Sequence, residues 1–193
     1  MIFTDRLKLV PLEEKHLDSL IRLRNDPTTW HWLTKIDPIN STTQKIWIEK
    51  LQKDTSKMYL AIENEEITPV QMGIGDTKTD FVGILRSDEW DRTNRSVRVG
   101  IDIMPDFRGK GYATEAFSAF IDYLFKQQNI HRIWLLVSEK NADARKLYEK
   151  LGFQLEGIQR DALFRDGKYH GYLMMGLLED EWILRLRSGQ VKK

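Results

Sequence analysis

The stretch Ile101-Asp102-Ile103-Met104-Pro105-Asp106-Phe107-Arg108-Gly109-Lys110-Gly111-Tyr112-Ala113-Thr114-Glu115-Ala116 reads as a β-strand, a basic turn and the opening of an amphipathic helix. Gly109 and Gly111 let the backbone bend and approach a ligand with no Cβ in the way. The first turn of the helix offers unpaired N–H groups at the positive end of its dipole, which suits a phosphate. Arg108 and Lys110 bring positive charge to the same place. The turn is expected to hold a polyphosphate. An ordinary glycine turn between strand and helix is the plain alternative.

Three phosphate-binding patterns compete for these residues. A Walker loop requires Gly, four residues and then Gly-Lys-Ser/Thr, which Gly109-Lys110-Gly111-Tyr112 does not fit. A Rossmann fingerprint requires a third glycine where Thr114 stands. The third pattern, R/Q-x-x-G-x-G/A, is matched by Arg108, Gly111 and Ala113. Further along, Ile133-Trp134-Leu135-Leu136-Val137 is a short apolar run of strand type, followed by the turn Ser138-Glu139-Lys140-Asn141. From there Asn141, Ala144, Leu147, Tyr148, Gly152 and Phe153 fit N-x-x-A-x-x-L-Y-x-x-x-G-F in register. Asn141 suits an N-cap, Ala144 and Leu147 share a helical face, and Gly152 suits the position just past a helix end.

With both motifs in order, each at a strand-to-helix junction, the chain resembles the GNAT superfamily of acetyl-CoA-dependent N-acetyltransferases. The resemblance covers most of the chain and is strongest over residues 97–178. It implies an α/β (α+β) fold: one domain over residues 1–187, with a mixed, mostly antiparallel central sheet flanked by helices. Residues 188–193 are expected as a loose tail. Central strands of the family splay apart to admit the pantetheine of acetyl-CoA. The resemblance implies cofactor contacts at Ile101, Ile103, Arg108, Gly109, Lys110, Gly111, Tyr112, Ala113, Thr114, Asn141, Ala144 and Tyr148. It also makes Tyr148 the catalytic acid beside the leaving sulfur; a tyrosine packed on a helix face is the simpler reading of the residue alone.

Acetyl transfer needs a neutral amine, so a proton must pass to a base or to water. It needs N–H donors for the oxyanion, and protonation of a thiolate whose thiol has a pKa of about 8.5. Many members carry a glutamate two residues before the strand glycine matched by Gly100, where this chain has Arg98. Others carry one at the position of Leu136. Asp102 shares a strand face with Arg98 if alternation holds, and Asp88 and Glu89 are second choices. A water chain serves equally, and the base is left unassigned.

Composition sets the frame. The 193 residues include 30 basic and 29 acidic side chains, a net charge of +1, which argues against a protein that coats nucleic acid or membrane. The chain has no cysteine, which excludes disulfides and thiolate chemistry. No apolar stretch approaches the roughly 20 residues of a membrane span. The N-terminus lacks the layout of a signal peptide, so a cytoplasmic location is expected. His16, His31, His131 and His170 are scattered, and no metal is expected. His16 reads as a surface helix residue, His131 as a loop residue before a strand. Glu63-Asn64-Glu65-Glu66 and Val191-Lys192-Lys193 read as solvated charge.

Strand patterning is expected at residues 6–10, 58–62, 80–87 and 96–104, with helices from Pro11 to about Arg24 and from Ser41, where Ser41-Thr42-Thr43-Gln44 has capping-box form. A loop with Trp30 and Trp32 lies between those helices, and residues 64–79 read as a long loop. The helix after the phosphate turn is expected to bury Phe117, Phe120, Ile121, Leu124 and Phe125. Residues 153–164 and 169–178 form a hairpin across Asp166-Gly167, followed by a helix over 179–187.

The hairpin and the ending Leu178-Glu179-Asp180-Glu181-Trp182 resemble the branch of ribosomal-protein N-terminal acetyltransferases. Spermidine acetyltransferases are similar in outline. Arg24-Asn25-Asp26-Pro27 with Trp30 and Trp32 is similar to enzymes acting on amino groups of nucleotide-linked sugars. Trp30, Trp32 and Trp47 either pack the first helices or line a pocket. The acceptor is a small amine or a protein N-terminus, and homodimerisation is left open. Two other readings stand: a non-catalytic acyl-CoA-binding domain of GNAT shape, and a nucleotide-binding α/β protein.

Overall fold

Residues 1–34, 36–64 and 80–190, which the computed structural model describes, form one eight-stranded sheet flanked by six helices. The strands are β1 (Ile2–Phe3), β2 (Leu7–Pro11), β3 (Met58–Asn64), β4 (Phe81–Asp91), β5 (Ser96–Ile103), β6 (Arg132–Ser138), β7 (Gln154–Arg165) and β8 (Lys168–Leu178). Their order across the sheet is β1-β2-β3-β4-β5-β6-β8-β7. All neighbours are antiparallel except β5 and β6. That parallel pair is short: Ser96 to Arg98 match Arg132 to Trp134, and there the ladder stops. Beyond it β5 follows β4 as far as Ile103, and β6 follows β8 as far as Ser138. Each strand is held by its outer neighbour, so a wedge opens in the middle of the sheet.

The helices are α1 (Leu17–Asn25), α2 (Pro27–Trp30), α3 (Ser41–Lys53), α4 (Tyr112–Gln128), α5 (Ala142–Leu151) and α6 (Glu179–Arg187). α4 carries Ala116, Phe117, Phe120, Ile121 and Leu124 at helical spacing, all with no exposed surface, against Ile62, Leu85, Val97 and Ile133. At roughly 1.5–3 kcal/mol for each large side chain removed from water, this face is the main cohesion of the central sheet. α1 and α3 cover the other face with Leu20, Leu23 and Ile48, which meet Ala61, Phe81 and Ile84.

Most boundaries fall where periodicity placed them, and the departures have local causes. The expected loop after α1 holds a short helix, because Asp26 accepts hydrogen bonds from the Thr28 and Thr29 N–H groups and Pro27 occupies the first turn. α3 is capped by Asn40, whose side chain accepts from Thr43 N–H, so Ser41 is already helical. His16 is not a surface residue. It is 4% exposed, its Nδ1 accepts from Glu13 N–H, and its Nε2 lies 2.8 Å from Glu63. Glu63 and Asn64 are likewise buried, not solvated, since β3 carries them to the end of a covered ladder. The rest of the expected loop, residues 65–79, lies outside the described residues, as does the tail from 191. No described helix is long and apolar enough to cross a membrane.

Candidate active site

The site is built where the wedge meets the glycine turn. β5 ends at Ile103, Met104 N–H bonds Val82 O, and a 3-10 turn over Pro105–Phe107 leads into Arg108. Gly109 and Gly111 take φ of +74° and +84°, a region that disfavours any Cβ. Gly111 is the N-cap of α4, and no side chain caps that helix. The first-turn N–H groups are thereby left facing a cleft of about 530 Å³.

Every expected cofactor contact lines this cleft except Lys110. Lys110 Nζ instead lies 5.5 Å from the centre of the Phe107 ring. Arg108 reaches the cleft but aims elsewhere: its guanidinium donates to Ile103 O, to Thr28 Oγ1 at 2.7 Å and to Thr29 Oγ1. Arg108 thereby ties the loop to α2, and the positive charge at the turn comes from the α4 N-terminus and from Arg6, whose Nη2 would stand 3.4 Å from a Cβ at Gly111.

Three contacts with no counterpart in the local motifs fix the turn from behind. Glu115 accepts from Thr4 Oγ1 at 2.6 Å, from Arg6 N–H at 2.9 Å and from Arg6 Nε at 2.8 Å. Burial pushes its carboxyl up, yet these three bonds outweigh that and hold it below the usual range. Arg6 also donates to Lys110 O and lies over the Tyr112 ring at 4.4 Å. The Tyr112 hydroxyl accepts from Asn64 Nδ2 at 3.0 Å. Residues this far apart in sequence leave no signal in a window-based reading.

The opposite wall is α5. Asn141 Oδ1 accepts from Ala144 N–H at 3.1 Å and caps the helix, and Gly152 ends it at a φ of +100°. Ala144, Leu147 and Tyr148 face the cleft. Tyr148 is 6% exposed and packs edge-on against Phe117 and Phe153. Its hydroxyl has no hydrogen-bond partner among the described residues. Burial pushes the phenol up to about 12, with Arg86 opposing and Asp102 adding to the shift. It is a neutral donor at any ordinary pH.

A further wall of the cleft is the face of the sheet beneath α1 and α2. The bulge in β4–β5 falls between Asp88 and Asp91, so alternation holds from Arg98 to Asp102 and both share that face. Asp102 lines the cleft, with Arg86 Nη1 on it at 2.5 Å. A Cβ at Gly100 would stand 2.6 Å from Arg86 Cζ, so any larger residue there must displace the guanidinium that pairs with Asp102. Asp88 and Glu89 are both engaged by Arg98. Each carboxylate considered as a base is thus ion-paired. Trp32 lines the cleft, whereas Trp47 packs edge-on against Tyr59 and Trp30 donates to Ile36 O. Arg165, buried in the β7–β8 hairpin, seats this region by donating to the carbonyls of His31 and Leu33. Among the described residues no cluster of side chains has the make-up of a metal site.

Comparison with known proteins agrees with this geometry. Residues 6–154 match the family model described as an acetyltransferase (GNAT) domain. The chain is 31% identical over 180 residues to the spermidine N(1)-acetyltransferase of Escherichia coli K12, covering 92% of this chain and 88% of that one. It is 33% identical over 84 residues to the [ribosomal protein uS5]-alanine N-acetyltransferase of the same strain, 44% of this chain and 43% of that one. Among solved structures, spermidine N-acetyltransferase from Vibrio cholerae in complex with CoA and spermine superposes with a TM-score of 0.81. That match has 25% identity and covers 92% of this chain and 98% of the other.

Proposed function

Because the chain belongs to the GNAT family of acetyl-CoA-dependent N-acetyltransferases, we propose that the wedge between β5 and β6 is where an amine attacks the thioester directly. The observation that carries this reading is the run of one cleft from the uncapped α4 N-terminus to the unpartnered Tyr148 hydroxyl. The backbone of Gly109 to Thr114 takes the pyrophosphate, and the pantetheine lies in the wedge against Ile101, Ile103, Asn141 and Ala144. This brings the thioester next to Tyr148. The amine enters from the α1–α2 side.

Tyr148 acts through its hydrogen bond to the leaving sulfur. Net transfer of its proton from a phenol at about 12 to a thiolate whose thiol lies near 8.5 is uphill by roughly 5 kcal/mol. A neutral donor stabilises the departing charge without that transfer, and the thiolate takes its proton later from water. No protein base is assigned, since Asp102, Asp88 and Glu89 are held by arginines.

The named relatives frame the acceptor as a small amine or a protein N-terminus. Residues 1–187 act as one unit in the cytoplasm, with no metal required. Leu155, Ile158, Phe164 and Tyr169 stand 52–64% exposed on the outermost hairpin, which favours self-association. Release of free CoA thiol against polyamines, amino sugars and their phosphates, and peptides with free N-termini tests the reading. The chain has no cysteine to add background. Turnover of one class supports it; tight acetyl-CoA binding with no release on any class overturns it in favour of a sensing domain.

A further inference from the structure

In the cleft, Asp102 carries a carboxylate of which only one oxygen is engaged. Cross-strand register sets Asp102 opposite Ile84, and Arg86 opposite Gly100 on the next rung of the same face. With no side chain at Gly100, the Arg86 guanidinium lies across β5 and reaches Asp102 Oδ2 at 2.5 Å. Asp102 Oδ1 accepts no hydrogen bond among the described residues. The buried polar atoms left without a partner there are Ser87 Oγ, Trp90 Nε1, Tyr172 OH and Arg185 Nε. Asp102 Oδ1 and the Tyr148 hydroxyl are not sealed in that way, and both residues line one cleft with Trp32. The reaction as described uses only the phenol.

Charge decides what the carboxylate oxygen can do. A lone carboxylate beside an amine favours the ammonium, which cannot attack. Arg86 cancels Asp102, and Arg98 cancels Asp88 at 2.7 Å. Of the other ionisable groups around the pair, Arg24 of α1 adds positive charge. Burial pushes the phenols of Tyr59 on β3 and Tyr148 on α5 up, so both stay neutral. Arg108 and Asp143 complete the charged lining of the cleft. The free oxygen therefore offers a hydrogen bond with no net negative charge behind it.

We propose that Asp102 Oδ1 accepts an N–H of the attacking amine, and that Arg86 positions this carboxylate and cancels its charge, so that the amine is held neutral. The proposal rests on the acetyl-transfer reading and names the residue that presents the acceptor. The ammonium first loses a proton to water. The neutral amine, held by one N–H, then puts its lone pair on the thioester carbon, the C–S bond breaks and the thiolate departs beside Tyr148. The new amide nitrogen gives its surplus proton to water, and Asp102 carries none.

Release of CoA thiol with spermidine, glucosamine and a peptide bearing a free N-terminal alanine tests this. Asp102→Asn turns its amide oxygen to Arg86 and leaves a donor facing the amine. Its kcat/KM should fall roughly 10- to 100-fold, with calorimetric acetyl-CoA affinity unchanged. Arg86→Met leaves the carboxylate unopposed, so the rise of kcat with pH should move up by about one pH unit. The double variant removes both charges of the pair. Its melting temperature and pH profile should return to those of the wild type, and its kcat/KM should not. Wild-type kcat/KM in Asp102→Asn, recovery of kcat/KM in the double variant, or an unmoved profile in Arg86→Met each overturn the proposal. Where no acceptor turns over, calorimetry of the same three on the CoA-loaded protein decides. Binding that Asp102→Asn removes supports the site and overturns only the transfer reading. Binding that it leaves unchanged, or no binding at all, overturns the proposal.

Discussion

Glu63 is a buried carboxylate at the end of β3, 2% exposed, surrounded by His16 at 2.8 Å, Lys15 at 2.9 Å and Lys8 at 3.3 Å. Burial alone would raise its pKa, but the hydrogen bonds from His16, Lys15 and Lys8 outweigh it and bring the value to about 2 from an ordinary 4.5. Its folded value is depressed, so the stabilisation is complete above pH 4.5 and is lost as pH falls towards 2. The gap corresponds to about 3 kcal/mol at neutral pH. Glu63→Gln keeps the shape and removes the charge. The variant should melt about 6–12 °C lower at pH 7, given 2–4 °C per kcal/mol for a chain of this size. Paired melts by circular dichroism at pH 7, 5, 4 and 3 should show the difference constant to about pH 5 and shrinking below it. A difference of equal size at pH 7 and pH 3 would refute the assignment of this stability to the ionised carboxylate.

Three further outcomes bear on the site. Tyr148→Phe should lower kcat roughly 10- to 100-fold, the range of one hydrogen bond to a charged group, with calorimetric affinity for acetyl-CoA unchanged; wild-type turnover would leave the sulfur without its proposed donor. Gly111→Leu forces a side chain onto a φ of +84° beside the cleft, so it should cost about 1–3 kcal/mol of stability and weaken acetyl-CoA binding at least tenfold. Unchanged affinity would remove the turn from the pyrophosphate site. Arg165→Ala strips the carbonyls of His31 and Leu33 of their donor. It should raise the acceptor KM and leave acetyl-CoA affinity intact, and a loss confined to cofactor binding would contradict that division.

What the sequence disclosed, and what it hid, divides along contact distance. The glycine turn, the Asn141 cap, the Gly152 stop and the apolar stripe of α4 each depend on residues within a few positions of one another, and all stand where the motifs place them. His16 and Glu63 were misread because a charged residue in a polar run looks solvated until its partners, 47 positions away for His16, arrive through the sheet. The Arg6–Glu115 bond, with a separation of 109, and the Arg165 seat for residues 31–33 were invisible for the same reason. Asp26-Pro27 follows one helix and, through the Asp26 cap, starts another, where the sequence pattern suggests only a loop. That Tyr148 and Gly111 line one cleft follows from the two motifs. The direction in which the Arg108 side chain points does not.

The short pairing of β5 with β6 has a consequence for how this protein can change. Beyond Arg98 the edge of β5 facing β6 has no strand partner among the described residues, so its N–H and C=O groups can treat a ligand amide as a missing strand. Main-chain recognition is blind to side-chain identity. If the wedge holds the donor substrate as proposed, side-chain substitutions along it leave that main-chain recognition in place, and changes on α1, α2 and the outward rungs of β4 and β5 act on the other substrate. On the proposed reading, one substrate is recognised by the main chain of the wedge and the other by side chains outside it, so the two specificities rest on separate parts of the sequence.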